Sequence, residues 1–358
     1  MSSLSKLKII EVAGVLAGPL VGSFFSELGA EVIKIEAPGR GDITRSWKLA
    51  SEDPDAQLSS YFASANYNKT LLRLDLVNES DRNNFLQLLE SADVLISNFK
   101  AGDLSKFRLS KDDIQSRFPR LIWANISGFG ENDHRVAFDM VLQAESGFLA
   151  MSGTPQGELT KMPVALIDVL ASHQVKEALL LALLAKKESG KGRFIELNLF
   201  DTALSSLANQ ASAYLMTGHS PRPMGTLHPS IAPYGEIISF QDDRKMVLAI
   251  GSDKQFKALC AVLNCEVLSE DSRFATNQSR VINRQALWTE LNQASSKLNM
   301  QSCYEQLIEH QVPVGRIRTV AEVLSDPQAQ SLILEDEVEG QLLRRMKTYV
   351  AKHIERPE

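Results

Sequence analysis

The sequence predicts an α/β protein: a doubly wound parallel-sheet large domain followed by a smaller α+β domain. Three observations carry this. Strand-like and helix-like patterns alternate through the first hundred residues, and one strand, helix, strand unit closes within about thirty residues, which favours a parallel crossover. The composition then changes over Gly218 to Pro233, rich in proline and glycine, and a hairpin pattern begins beyond it.

Leu7 to Val12 is a short apolar strand, and Gly18-Pro19 opens a helix whose Leu20, Val21, Phe24, Phe25 and Leu28 recur with helical spacing until Gly29. Glu31 to Glu36 is the next strand. Leu71 to Leu76 and Val94 to Ser97 are further strands, separated by a helix starting near Asn78. Ser110 with Asp113 resembles a capping box, and Leu121 to Phe129 follows as a strand. From Val164 an apolar stretch holding one acid, Asp168, runs into a helix that Gly190 ends. Phe194 to Phe200 is then a strand, with Asp201 as cap of the next helix. Ile237 to Phe240 and Met246 to Ile250 form a hairpin about a polar turn, and Phe256, Leu259, Cys260 and Leu263 give the following helix its buried face. The expected division is a large domain over 1–205, a linker over 206–233, a small domain over 234–317, and a return linker with a short C-terminal segment over 318–358.

Composition excludes several classes. With 38 Lys plus Arg against 44 Asp plus Glu, the net charge is −6. These charges are interspersed, so no clustered cationic face for nucleic acid is present. The longest strongly apolar run, Ala178 to Ala185, falls far short of the roughly 20 residues that cross a bilayer. The N-terminus carries no secretory pattern, so a cytoplasmic protein without membrane partners is expected. Cys260, Cys265 and Cys303 are unevenly spaced, which points to reduced structural thiols and neither a disulfide framework nor a thiolate metal site.

The first strand and helix invite a dinucleotide reading, but Gly14-Val15-Leu16-Ala17-Gly18 has Leu16 where a pyrophosphate needs close backbone approach. Gly190-Lys191-Gly192 follows a helix, which removes a phosphate-loop reading, and neither GxSxG nor HExxH occurs. His228, in the proline-rich segment, is read as a loop histidine. Asp168 has two readings: a helix N-cap, or a carboxylate held in a partly desolvated cleft as base or nucleophile. Spacing leaves both open.

Gly14 to Pro19, the run Leu28 to Glu36 followed by Gly41-Asp42 and Arg45, Asn98-Phe99, Phe138-Asp139 with Gln143 to Gly147, Ile231 to Tyr234, and Val312 to Gly315 with Asp326-Pro327-Gln328 occur in one order. Together they resemble the class III CoA-transferase family over about residues 5 to 335. The resemblance implies a Rossmann-like large domain, an interlocked homodimer, and transfer of CoA from an acyl-CoA donor to a carboxylic acid acceptor. No permanently bound cofactor or metal is implied, and the coenzyme A thioester is itself the substrate.

By that resemblance Asp168 is the nucleophile, passing through a mixed anhydride and an aspartyl-CoA thioester. Leu16 and Ala17 stand near the pantetheine. Leu74 and Asp75 with Asn98, Phe99 and Lys100 surround the nucleotide, Lys106 stands near a phosphate, and Phe138 and Asp139 lie beside the thioester; Arg45 and Lys69 are weaker phosphate candidates. Leu16 replaces the glutamine of some members, and His228-Pro229-Ser230 replaces a glycine-rich loop of others, which disfavours formyl transfer. Two alternatives remain: an α-methylacyl-CoA racemase on the same fold, for which Phe138 lacks the proton-carrying histidine and His134 would have to reach the cleft, and a non-catalytic CoA-binding protein.

Overall fold

The computed structural model describes residues 4–352. Six parallel strands form the main sheet: β1 (Lys8–Val12), β2 (Glu31–Glu36), β3 (Thr70–Arg73), β4 (Val94–Ser97), β5 (Ile122–Ser127) and β6 (Arg193–Asn198), in the order β3-β2-β1-β4-β5-β6. Alternation within each strand builds a core on both faces. Ile9, Val32, Val94, Ile96, Ile122 and Ala124 face helices Ala17–Glu27 and Leu166–Ser189. Their neighbours Ile10, Ile33, Leu95 and Trp123 face helices Glu79–Glu90 and Lys111–Arg117. A sheet covered on both sides needs these continuous apolar runs, which is why the central strands read so clearly in the sequence.

Within this apolar sheet lies a buried charge cluster. The Lys69 ammonium donates to both oxygens of Glu11 at 2.8 and 3.0 Å, and Lys34 donates to Glu11 at 3.1 Å and to the Ala13 carbonyl at 2.6 Å. Lys34 also pairs with Asp42 at 3.1 Å. All four side chains are buried. Burial alone would lower the Lys34 pKa, yet Glu11, Asp42 and Glu36 around it hold it above its ordinary value. Helix Ala17–Glu27 crosses this cluster at Gly22, where an added Cβ would stand 1.8 Å from a Glu11 oxygen.

Among the described residues, 328–352 belong to the same compact unit as 4–149 and 161–221. They form a hairpin, β10 (Ile333–Val338) and β11 (Gln341–Met346), in place of the expected linker. Glu339 pairs with Arg45 at 2.7 Å and Arg73 at 3.3 Å, Asp336 accepts from the Asn68 N–H, and Arg345 pairs with Glu27 at 2.9 Å. Leu58, Phe62 and Ala63 pack with Val338 and Leu343.

The second unit comprises 150–160 and 222–327. It holds an antiparallel sheet of β7 (Tyr234–Ser239), β8 (Lys245–Ala249) and β9 (Val314–Arg316) in that order. Its core joins Ile238, Met246 and Leu248 to Phe256, Leu259, Leu291 and Leu307. The division thus departs from the expected boundaries: 206–233 contains the helix Ala208–Thr217, and 150–160, folded on itself by a bridge between Gly153 and Leu159, joins the second unit through a bond of 2.7 Å from the Gly225 N–H to the Gly153 carbonyl. Two smaller expectations are corrected. β3 stops at Arg73, although Leu74 and Leu76 still enter the core. The cap of helix Leu199–Ser205 is Asn198, which accepts from the Asp201 N–H, because the donor at the third helical position needs an acceptor before the helix begins.

Gly22→Ala is expected to destabilise the protein by about 3 kcal/mol or more, since the methyl group must separate Glu11 from its lysines and leave buried charges unpaired. Denaturant unfolding of the variant against the parent measures this; an unchanged midpoint would show that the cluster does not bear on stability.

Candidate active site

Three loops leaving the C-terminal edge of the sheet, after β1, β4 and β5, converge where the strand order reverses between β1 and β4, the position at which doubly wound sheets form a crevice. Here they wall a cavity of about 440 Å³, lined among others by Leu16, Ala17, Asn98, Phe99, Lys100, Ser127, Phe138 and Asp168. A second cavity of about 490 Å³ shares Phe99, Lys100, Ala101 and His134 with the first and adds Lys111, Trp123 and Phe194.

The loop after β1 is held from below. Its Ala13 carbonyl rests on Lys34, its Gly14 N–H and C=O both bond the Asn98 amide at 3.2 Å, and its Val15 N–H donates to Asp42 at 3.3 Å. Val15 has φ of 70°, a left-handed conformation that a β-branched residue adopts only when its surroundings impose it. Helix Ala17–Glu27 then begins without a side-chain cap, leaving its first residues on the cavity wall. After β4, Asn125 accepts from Ser97 at 2.7 Å and from the Phe99 N–H at 3.0 Å, which fixes the turn that presents Phe99 and Lys100.

Asp168 is the third residue of helix Leu166–Ser189 and not its cap; the position before the helix is Ala165, which offers no side-chain acceptor. The capping role falls to Asp139, which accepts from the Ile167 N–H at 2.7 Å and is also bonded by Gln143. Asp168 itself is 7% exposed, and no donor among the described residues reaches its carboxylate. Burial, reinforced by the Asp139 charge, pushes its pKa up to about 7. Tyr61 is pushed up to about 12 by burial and then by Asp168, Asp139 and Asp42, so its phenol stands among the same carboxylates. Its ring meets Trp47 at 5.1 Å, which in turn lies 6.2 Å from Phe138.

Residues 4–351 match the family model described as CoA-transferase family III. The chain belongs to that family. It is similar to the succinate–glutarate CoA-transferase of Agrobacterium fabrum, 33% identical over 94% of this chain and 86% of that one. It is 35% identical to the acetyl-CoA:oxalate CoA-transferase of Acetobacter aceti over 90% and 82% of the two chains. A crystal structure of a CAIB/BAIF family protein from Brucella suis covers 98% of this chain and 92% of its own, at 35% identity and a TM-score of 0.86. The protein is thus an enzyme of the class III CoA-transferases.

In this family III chain the structure brings Leu16, Ala17, Asn98, Phe99, Lys100, Phe138 and Asp168 to one cavity, with Asp139 directly behind Asp168. Five expected residues stand apart from its walls. Leu74 is buried in the core, and Asp75 is exposed, its N–H and carboxylate used in the turn that starts helix Glu79–Glu90. Arg45 is buried against Glu36 and Glu339 and over the Phe62 ring, and Lys69 is consumed by Glu11; the charge of each is already paired with carboxylates. Lys106 is exposed at the end of the short helix Asp103–Lys106, whose Leu104 and Ser105 line the second cavity. His134, expected to lie away from the cleft, lines both cavities, and Arg135, Lys111 and Ser127 are lining residues that pattern reading passed over. The run of polar residues 131–135 is a local signal for His134 and Arg135 alone; nothing local marks Lys111 or Ser127.

A carboxyl whose folded pKa of about 7 exceeds its ordinary 3.8 binds a proton in the folded state that the unfolded chain has already lost. The protein should therefore lose stability as pH rises from about 4 to 7 and no further above. Asp168→Asn removes this penalty, so its excess in Tm over the parent should widen across that window and then stay level. Asp139→Asn, which keeps an acceptor for Ile167, should lower the Asp168 titration midpoint without restoring 3.8, because burial is the larger cause. An NMR titration of the labelled Asp168 carboxyl that gave 3.8 in the parent would remove the basis for both.

Proposed function

We propose that the protein moves CoA from an acyl-CoA donor to a carboxylic acid acceptor through covalent catalysis by Asp168. The observation that carries this is a buried carboxylate on the cavity wall with no hydrogen-bond donor among the described residues: a poorly solvated anion is a strong nucleophile, whereas a structural one would be paired. An Asp168 oxygen adds to the thioester carbonyl, and the C–S bond breaks with its electron pair going to the CoA sulfur. The thiolate then attacks the Asp168 carbonyl of the resulting mixed anhydride, releasing the first acid as its carboxylate. The acceptor carboxylate reverses both steps. The thioester energy is conserved only if water is kept from the anhydride, which the apolar Leu16, Ala17, Phe99, Phe138 and Leu199 walls serve.

The two adjoining cavities suit an elongated thioester, its reactive end at Asp168 and its nucleotide end towards Lys100 and Lys111. Asn98, Phe99, Lys100 and Lys106 remain the proposed CoA contacts on that side. The relatives' substrates, succinate, glutarate and oxalate, are dicarboxylates, and we assign the same class here. Lys100, His134 and Arg135 supply cationic or titratable groups on the cavity wall for a second carboxylate. A homodimer belongs to this reading: Leu181, Leu184, Leu215 and Met216 are 67, 59, 81 and 85% exposed, apolar area that a second copy would cover. Among the described residues no helix is long and apolar enough to cross a membrane.

Incubation with succinyl-CoA should leave a CoA or acyl adduct on the peptide containing Asp168, trapped by hydroxylamine as a hydroxamate, and Asp168→Asn should retain CoA binding while transfer falls by several orders of magnitude. Full transfer by Asp168→Asn ends this reading. Because His134 lines the cavity, the racemase is tested directly. A 2-methylacyl-CoA held in heavy water without acceptor should gain no deuterium at its α-carbon, since Phe138 has no group that can give or take a proton. Uptake that disappears in His134→Ala would reassign the enzyme.

A further inference from the structure

Two polar side chains on the wall of the Asp168 cavity are nine-tenths or more buried: Asp168 at 7% exposure and Ser127 at 9%. Both lack a partner among the described residues. The Ser127 hydroxyl makes no hydrogen bond, and no donor reaches Asp168. A buried hydroxyl left unpaired is costly, and native structures keep such a group where something outside the chain satisfies it. Ser127 ends β5, its backbone locked in register with Asn198, and the following Gly128 carbonyl accepts from the Phe200 N–H at 3.0 Å. The hydroxyl therefore stands on a rigid strand end, not on a loop.

A carboxyl group and an orphan hydroxyl thus line one cavity without bonding to each other. A thioester bound there with its carbonyl carbon towards the carboxylate would have its oxygen served by the hydroxyl. We infer that Ser127 is a further catalytic residue, the donor that stabilises the oxyanion formed when Asp168 adds to the thioester. The inference rests on the reading of Asp168 as nucleophile. As the Asp168 oxygen bonds to the carbonyl carbon, the C=O π pair moves onto oxygen. The Ser127 O–H donates a hydrogen bond to that alkoxide and keeps its proton; when the π bond re-forms, the C–S bond breaks and CoA leaves as thiolate. The same donor serves the second addition, when the thiolate attacks the Asp168 carbonyl. Because negative charge on the oxygen is present only in the transition state and intermediate, the bond strengthens there and acts on kcat more than on binding.

The test measures single-turnover labelling of Asp168 by saturating succinyl-CoA, by rapid quench and peptide mass spectrometry, with CoA affinity measured in parallel by calorimetry. Ser127→Ala should slow labelling about 100-fold, the usual effect of removing one oxyanion donor, with CoA affinity and Tm unchanged. Ser127→Thr, which keeps the hydroxyl on a strand-compatible side chain, should restore most of the rate, and Ser127→Cys, a similar shape with a weaker donor, should fall between. Labelling of Ser127→Ala at the parent's rate overturns the assignment, as does a slowing explained wholly by weaker CoA binding or equal in all three variants. Absence of any label in the parent would instead count against the nucleophilic role of Asp168.

Discussion

The active site depends on ion pairs buried beneath the loop after β1. Removing Glu11, Lys34, Lys69 and Asp42 from water costs several kcal/mol for each ion, a cost met only by dense mutual pairing and additional hydrogen bonds. That is what the structure provides: five acceptors around Lys69, namely both Glu11 oxygens, the Pro19 and Ala65 carbonyls and the Asn66 amide, all within 3.1 Å. Lys34 ties the cluster upward to the Ala13 carbonyl, and Asp42 ties it to the Val15 N–H. A loop containing a β-branched residue in the left-handed region would relax if released. Here its neighbours in sequence are fixed to charges that cannot move without being stranded. The cavity's shape at Leu16 and Ala17 is thus set by groups that never touch it.

The same desolvation acts on Asp168, with the opposite provision. No cation accompanies it, and the nearest charge identified is another carboxylate, Asp139. Asp139 is occupied in satisfying the N-terminus of helix Leu166–Ser189, so a single side chain both orients the helix that bears Asp168 and raises its proton affinity. On the proposed role of Asp168, the arrangement trades stability for reactivity, as functional sites commonly do. It also decides against the N-cap, one of the two readings that spacing leaves open for Asp168. An aspartate at that position in the sequence looks like a cap, but the helix begins two residues earlier and is capped from Asp139, far back in the chain.

What was legible in the sequence was what local periodicity encodes. β2 and β4 fall on Glu31–Glu36 and Val94–Ser97 as read, because strands buried on both faces must be apolar along their length. Asp168, Leu16, Ala17, Asn98, Phe99, Lys100 and Phe138 were named through motif resemblance, and the fold gathers them. Arg45 and Lys69 were misplaced because nothing local reveals a cation's partners: Glu11 lies 58 residues from Lys69, and Arg45 is shared between Glu36, 9 residues away, and Glu339, 294 residues away. Ser127 was invisible for a related reason, since an unpaired hydroxyl is a property of three-dimensional surroundings. The hairpin β10 and β11 was missed although its turn has a signature. Glu339 and Gly340 both have positive φ, 51° and 77°, the pattern of a type I′ turn, but glutamate takes the place usually filled by Asn or Asp.

That hairpin has a consequence for the order in which the molecule is built. Leu58 and Phe62 find Val338 and Leu343 only after nearly the whole chain has been made, and Glu27, Arg45 and Asn68 likewise wait for Arg345, Glu339 and Asp336. The intervening 222–327 forms a compact unit with a core of its own. On the ribosome, that later unit has the contacts to fold while the earlier one still lacks its last strands. Contacts spanning most of the sequence are slow to close. Until they do, an apolar patch and several buried ions of the first unit stand uncovered, a nascent-chain vulnerability that the finished enzyme no longer shows.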